Sequence, residues 1–485
     1  LEFRRVLFRS SIEMSRLVKI ALENSDLTSK GIERTKNMFA LGVLFWMYNR
    51  PIEPTEEWLR KKFAKNPSIA ESNIIAMKTG FNYGETTEIF TTSYAVEKAD
   101  LPKGKYRNIT GNVAVAYGLV SAAEKAGKEL FLGSYPITPA SEILHTLSGL
   151  RNHGVKTFQA EDEIAGIASA IGASYAGDLA VTTTSGPGMA LKTEAIGLAI
   201  ITELPLVIVN VQRGGPSTGM PTKMEQSDLL QAVHGRNSDA QIPVIAAKDP
   251  ADCFDCAFEA ARIAMKYMTP VILLSDGYLG QGSGPWKIPD PKNLPKIEVS
   301  HPDSSARGED GFMPYARDEN EARPWAIPGT TGLEHRIGGL EKENITGMVS
   351  QDPENHQLMT DIRARKVENI TQEIPPSEIH GEPKGKLLVL GWGSTHGAIH
   401  VAVDRALAKG RSVSQMHLRW VSPFPSDLKA ICDEFDEILI PEVNSGQLAL
   451  LLKGELAREI HQLNIVRGEP FRASEIEDKI NEILG

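Results

Sequence analysis

The chain changes texture near residue 112. Before it, residues 14–88 carry apolar positions at helical spacing, with breaks at Asn49-Arg50-Pro51 and Asn66-Pro67, where proline ends one helix and suits the start of the next. The polar stretch KADLPKGKYRNITG follows and reads as a linker. Beyond it, short apolar runs alternate with helical segments. Strands are predicted in ELFLGS, at 156–159, at 179–184, and in PLVIVNVQR, IPVIAA and PVILLSD; helices are predicted at 112–126, 140–150, 162–175, 190–203 and 250–267. Apolar runs without alternation suit strands buried on both faces. The predicted class is therefore α/β, with a parallel sheet covered on both sides. Ligands bind such sheets beyond the strand carboxyl ends, where the loops YPITP, TTTSGPG and QRGGPSTGMPT should gather.

Residues 280–383 are rich in proline, glycine and charge and read as a long crossover with a few short elements; GQGSG, running into Pro285, reads as a turn. A second α/β unit begins at GKLLVLGWGSTHGAIHVAVDRALAKG, with strands near 413–418 and 437–441, a helix from about 446 and the terminal helix SEIEDKINEIL. The GWGSTHG loop leads from a strand into a helix, as a phosphate cradle does, and carries the alternative of a non-catalytic nucleotide-binding module. It is not a GxGxxG, and one glycine loop is weak evidence.

Composition narrows the classes. The 485 residues are 41% hydrophobic and 24% charged, as in a folded globular chain, and the length suggests about three domains. A net charge of -10 gives no general attraction to nucleic acid or an anionic membrane. The most apolar helical run, 38–48, is about half the roughly 20 residues a membrane-spanning helix needs. The opening LEFRRVLFRS has neither the apolar centre nor the cleavage site of a signal peptide and is expected to be an artefact of cloning or assembly. Three cysteines make a cytosolic pattern, not a disulfide framework. Cys253 and Cys256 form a CxxC, but inside a helical apolar pattern with no second ligand pair nearby, so they read as core. No metal ligand is assigned to this chain.

The strand-end loops hold the candidate chemistry. Pro136 and Pro139 fix the YPITP turn around the Thr138 hydroxyl, which alone would read as a local cap. Arg213 leaves an apolar strand into a glycine- and proline-rich loop, and Thr222 follows. An arginine there suits bidentate pairing with a carboxylate, and a hydroxyl adds a hydrogen bond; the plain alternative is a solvated loop. Glu163 opens a helix of small and apolar residues. Capping is the default role for such an acid, yet Glu161, Asp162 and Glu163 together exceed what a cap needs.

In this order YPITP, E-x-A-G with a glycine nine residues after the Glu, TTTSGPG and QRGGPSTGMPT resemble the pyrimidine-domain signature of 2-oxoacid:acceptor (ferredoxin) oxidoreductases. RPWAIPGTTGLEHRIGGLE and NSGQLALLLKGEL are similar to the same family's alpha subunit, so the resemblance covers about residues 20–485. It implies a thiamine-diphosphate-binding-type pyrimidine domain over 106–290, the crossover at 291–383 and a transketolase C-terminal-like α/β domain over 384–485. It also implies that Glu163 contacts the thiamine aminopyrimidine, with Pro136 and Ile137 beside the cofactor. A proton shared between carboxylate and ring nitrogen favours the imino tautomer, whose nitrogen removes the thiazolium C2 proton. Thr138, Arg213 and Thr222 match positions that hold the substrate carboxylate and carbonyl.

The resemblance further implies a beta subunit that carries the diphosphate and Mg2+ site and a [4Fe-4S] cluster, with coenzyme A as acyl acceptor, ferredoxin as electron acceptor, an (alpha-beta)2 assembly and a cytoplasmic location. Three cysteines cannot supply a four-thiolate cluster from this chain. The substrate expected is 2-oxoglutarate, from the GMPTK loop and from the similarity of residues 11–105 to the end of a gamma unit fused ahead of alpha. That unit's glycine-rich opening is missing, and an N-terminal truncation is expected. Pyruvate or a branched-chain 2-oxoacid is the alternative. Lys223 and His234 are candidates to hold a second substrate carboxylate.

Overall fold

The computed structural model describes residues 12–87 and 93–485; the expected artefact at 1–10 lies outside them. The chain forms two compact units, Leu1–Lys103 and Gly104–Gly485. In the first, the described helices are Met14–Ala21, Ser29–Arg34, Lys36–Met47, Glu53–Lys62 and Pro67–Thr86. Prolines open or follow the opening of the last two, as the breaks in the sequence suggested. Lys36–Met47 and Pro67–Thr86 meet backbone to backbone. A Cβ on Gly42 would lie 1.9 Å from the Met77 carbonyl oxygen, and one on Gly80 1.9 Å from that of Phe39; only glycine permits that approach. Among the described residues no helix is long and apolar enough to cross a membrane.

The strands of the second unit are β1 (Tyr106–Thr110), β2 (Leu130–Ser134), β3 (Val155–Gln159), β4 (Leu179–Thr184), β5 (Leu206–Gln212), β6 (Val244–Ala246), β7 (Pro270–Asp276) and β8 (Ser283–Lys287). They continue with β9 (Ile379–His380), β10 (Gly385–Trp392), β11 (Val413–Leu418), β12 (Trp420–Ser422), β13 (Phe435–Glu442) and β14 (His461–Asn464). A seven-stranded sheet runs in the order β12-β6-β7-β5-β4-β2-β3, parallel except for β12, which pairs antiparallel with β6. β4, β5 and β7 are buried at every position, which is why their sequences lack polar alternation. Along β5, Val207, Val209 and Val211 pack with helices Gly111–Ala126 and Asp252–Tyr267, while Leu206 and Ile208 pack with Glu163–Tyr175 and Thr193–Ile201. That second core continues into the five-stranded sheet β14-β13-β10-β11-β9 through Leu388, Leu390 and Trp392.

Several expectations are corrected. The end of the expected linker is β1, and the expected turn around GQGSG runs into β8; the two pair antiparallel, Asn108 opposite Pro285. The predicted 190–203 helix is two helices, Gly186–Leu191 and Thr193–Ile201. The crossover carries a full helix, Pro353–Asn369. It is anchored by charge: Glu203, 1% exposed, pairs with Lys366 of that helix and with Arg317, while Arg323 Nε donates to the Glu203 carbonyl at 3.1 Å. Cys253 and Cys256 are buried free thiols on the Asp252–Tyr267 helix, where burial pushes both well above the usual thiol range.

Candidate functional site

All the parallel strands of the larger sheet end at one edge. The chain passes from β2 to β3 in one direction and from β4 to β5 in the other, so the order reverses between β2 and β4, where a crevice opens in sheets of this kind. YPITP follows β2 and SGPG follows β4. Glu163 begins the helix after β3, and Arg213 follows β5.

The three adjacent acids divide their work. Asp162 is the helix cap, its Oδ1 accepting from Ala165 N at 2.8 Å. Glu161 is exposed. The Glu163 carboxylate is therefore released from capping, and it lies against Gly188 of SGPG. A Cβ on Gly188 would stand 3.2 Å from Glu163 Oε1 and 2.2 Å from Thr184 Oγ1, so this glycine keeps open the space the carboxylate faces. Behind it, Lys192 is fully buried and donates to the Glu163 carbonyl at 2.8 Å and to Thr182 Oγ1 at 3.2 Å. Burial pulls its ammonium down to about 8, against the attraction of Glu163 and Asp162.

Arg213 and Thr138 come together. Arg213, 7% exposed, sends Nη1 to the Thr138 carbonyl at 2.6 Å, while its Nε has no partner. An unpaired buried guanidinium donor costs about 1–3 kcal/mol, a cost a bound carboxylate removes. Ser185 Oγ, just after β4, and Asn210 Oδ1, within β5, are also buried without partners. Asn210 Nδ2 holds Asp228 Oδ2 at 3.0 Å, and burial raises the Asp228 carboxyl above its usual range although Arg213 opposes the rise. The residues present thus fit an anionic ligand with further polar groups.

The 213–223 loop closes on itself: Met220 N donates to Gly214 O at 2.8 Å and Gly214 N to Lys223 O at 3.0 Å. Gly215 N donates to Glu225 Oε2 at 3.3 Å. Thr222 and Lys223 are exposed, and no described hydrogen bond joins Thr222 to Arg213 or Thr138. His234 is exposed at a helix end and lines a cavity of about 910 Å³ that shares no residue with these loops. Pro136 is exposed, while Ile137 packs on the core beneath the turn. Lys192, Asn210, Asp228 and Ser185 escaped the sequence reading. The one signal was Lys192, the lone cation in the mostly apolar GPGMALKTEAIGLAII.

The GWGSTHG loop is filled from within. Gln226 Nε2 donates to Trp392 O at 2.7 Å, and a Cβ on Gly393 would lie 2.6 Å from that nitrogen. Gly393 thus serves packing, and the backbone beside it is occupied by Gln226 rather than left open to a phosphate.

Residues 122–352 match the family model described as "Pyruvate flavodoxin/ferredoxin oxidoreductase, thiamine diP-bdg". The chain is 51% identical over 469 residues to the 2-oxoglutarate oxidoreductase subunit KorA of Mycobacterium tuberculosis, covering 96% of this chain and 71% of that protein. It is 31% identical to the 2-oxoglutarate synthase subunit KorA of Methanothermobacter marburgensis, covering 78% of this chain and 98% of that one. Among solved structures, the 2-oxoglutarate:ferredoxin oxidoreductase of Magnetococcus marinus, with 2-oxoglutarate, coenzyme A and succinyl-CoA bound, superposes with a TM-score of 0.88 at 34% identity, covering 98% of this chain and 80% of that one.

Proposed function

The chain belongs to the family of 2-oxoacid:ferredoxin oxidoreductase alpha subunits, and on that premise we propose that it is the pyrimidine-side subunit of a cytoplasmic enzyme that converts 2-oxoglutarate and coenzyme A to succinyl-CoA and CO2. Two electrons leave to ferredoxin in each turnover. The substrate reading is supported by the names of the similar proteins from Mycobacterium tuberculosis and Methanothermobacter marburgensis and by the ligands of the Magnetococcus marinus enzyme. The observation that carries it is Arg213, a buried guanidinium with an unused Nε beside the YPITP turn.

Thiamine diphosphate, when bound, supplies the nucleophilic carbon and the electron sink for decarboxylation. Glu163 would hold a proton at the aminopyrimidine, with Pro136 and Ile137 of the turn beside the ring. Lys192, gripping the Glu163 carbonyl, fixes the first turn of the helix that carries this carboxylate. Arg213 would pair with the substrate's 1-carboxylate, with Thr138 and Thr222 at its carbonyl. Holding the 2-oxoacid in one orientation lowers the entropic part of the barrier. A beta subunit would supply the diphosphate, Mg2+ and [4Fe-4S] sites in an (alpha-beta)2 assembly, since the three cysteines here are buried and cannot form a four-thiolate set.

The test is co-purification with the beta partner, followed by 2-oxoglutarate- and coenzyme A-dependent reduction of a viologen dye. Pyruvate and branched-chain 2-oxoacids run in parallel decide the substrate. Dye reduction with none of them defeats the enzyme reading. Arg213→Lys keeps the charge but loses the planar fork. It is expected to lower kcat/KM about ten- to hundredfold, from the roughly 1.5–3 kcal/mol of a charged hydrogen bond; unchanged steady-state kinetics remove Arg213 from the clamp.

A further inference from the structure

A second cluster of chemistry-bearing side chains lies far along the chain from the strand-end loops, at the edge of the five-stranded sheet. His396, His400 and Asp404 recur every four residues on the His396–Ala408 helix, a spacing that sets them along one face. His380 comes from β9, the two-residue edge strand, paired antiparallel with β11 so that His380 stands opposite Gln415. His380 Nε2 lies 2.6 Å from Asp404 Oδ1, and His400 Nε2 lies 3.7 Å from Asp404 Oδ2. The ligand atoms of His380, His400 and Asp404 all fall within 4.8 Å of one another.

The hydrogen bonds around this group set the tautomer of His400. Gln415 Nε2 donates to the His396 carbonyl at 3.3 Å, which turns the amide so that its Oε1 faces His400 Nδ1 at 3.1 Å. An amide oxygen only accepts, so Nδ1 carries the hydrogen. In the neutral ring Nε2 then presents a lone pair, and it presents it to a carboxylate oxygen. Two lone pairs facing each other call for a cation between them. That cation is either a proton on Nε2 or a metal ion shared with His380. Protons can satisfy the two imidazole–carboxylate pairs only separately, one on each ring, whereas a single metal ion satisfies both at once. Two imidazole nitrogens aimed at one carboxylate, with a backing acceptor on the far nitrogen of one ring, form the donor set and outer support of a zinc-class site.

We propose that His380, His400 and Asp404 bind one divalent cation of the zinc class, clipping the edge strand β9 to the His396–Ala408 helix. Ligands about 2.0–2.1 Å from such an ion stand roughly 3.4 Å apart. The three side chains are 42%, 43% and 51% exposed, so their tips are free to reach that spacing by rotamer adjustment. His380 and His400 also line a cavity of about 510 Å³, together with His396 and His417, from which water could supply a fourth ligand. Nitrogen and carboxylate donors favour zinc, cobalt and nickel over the harder magnesium and calcium. The clip has a physical use, because a strand of two residues holds its place through few backbone hydrogen bonds.

The full chain, stripped with a chelator and dialysed, is titrated with Co2+ while its visible d–d absorption is followed; Zn2+ is then added as competitor. The expected result is saturation at one equivalent, bands of the intensity of a four- or five-coordinate ion, and their loss on Zn2+ addition. His400→Ala and Asp404→Asn are each expected to weaken binding at least tenfold with an unchanged far-ultraviolet circular dichroism spectrum. Gln415→Leu, which leaves every ligand in place, is expected to weaken it about 10- to 100-fold through the lost outer support. It keeps the question answerable if a ligand variant folds poorly. Absence of saturable Co2+ binding in the wild-type chain overturns the proposal, as does binding that survives His400→Ala and Asp404→Asn undiminished in folded protein.

Discussion

Replacing Glu163 with Gln is expected to lower kcat of the assembled enzyme by about 10²- to 10⁴-fold, the usual worth of a positioned proton-transfer group. Gln preserves the volume beside Gly188 and Thr184 and retains hydrogen-bonding atoms, but it cannot hold and return a proton. Thermal stability should stay within roughly 0.5 kcal/mol of the wild type, as for substitutions away from core and caps, because the capping bond belongs to Asp162. Asp162→Ala supplies the contrast. Loss of the cap should cost about 0.5–2 kcal/mol of stability and a much smaller share of turnover. The pair of variants, read by steady-state kinetics and thermal denaturation, separates the chemical carboxylate from the structural one. Normal turnover in Glu163→Gln removes Glu163 from its proposed role.

The second large effect falls on stability. Glu203→Ala leaves Lys366, 2% exposed, and Arg317, 5% exposed, without their shared carboxylate. Breaking a buried pair from one side typically costs about 3–5 kcal/mol, and chemical denaturation of the chain should register a loss of that order. The pair also has a pH signature. Burial pushes the Glu203 carboxyl upward, but Lys366 and Arg317 outweigh it and hold the group below its usual range. A carboxyl depressed in the folded state contributes stability that is complete above its unfolded value and is lost as pH falls through the folded value. The wild type should therefore lose more stability than Glu203→Ala on acidification below about pH 4.5. Parallel pH profiles for the two proteins would show that Glu203 is not the group responsible.

That anchor also explains what the sequence concealed. β4, β5 and β7 were legible because every residue in them is buried, and burial on both faces writes an unbroken apolar run. The Pro353–Asn369 helix was missed because its buried positions, Met359, Ile362, Lys366 and Val367, include a lysine. The apolar stripe is interrupted where the helix is held most firmly by charge. β1 and β8 were missed for a different reason: YRNIT and SGPWK are short, mostly exposed or half-buried, and paired across nearly half the length of the second unit. Nothing local marks such a pairing. The site divides in the same way. Its loops were visible as glycine- and proline-rich segments following apolar runs, whereas Asn210 sits inside a buried strand and Lys192 at the break between two short helices in a mostly apolar segment. Their importance comes from neighbours distant in sequence. The acidic triple was legible as a group, but which of its members caps the helix was decided by backbone direction, which sequence does not carry.

The place of β12 sets a schedule for synthesis. Trp420 and Ser422 complete the larger sheet by pairing with Ile245 and Val244, and β12 lies at the end of the sheet beyond β6. During translation at about 5–20 residues per second, the nascent chain presents β6 as an open edge until the ribosome has passed residue 422 and the exit tunnel has released it. An unpaired edge is a template for a neighbouring chain. Polysomes crowd such nascent chains together, so this interval is when chaperone cover counts most. A pause or truncation between 246 and 420 should yield insoluble product rather than a folded first sheet.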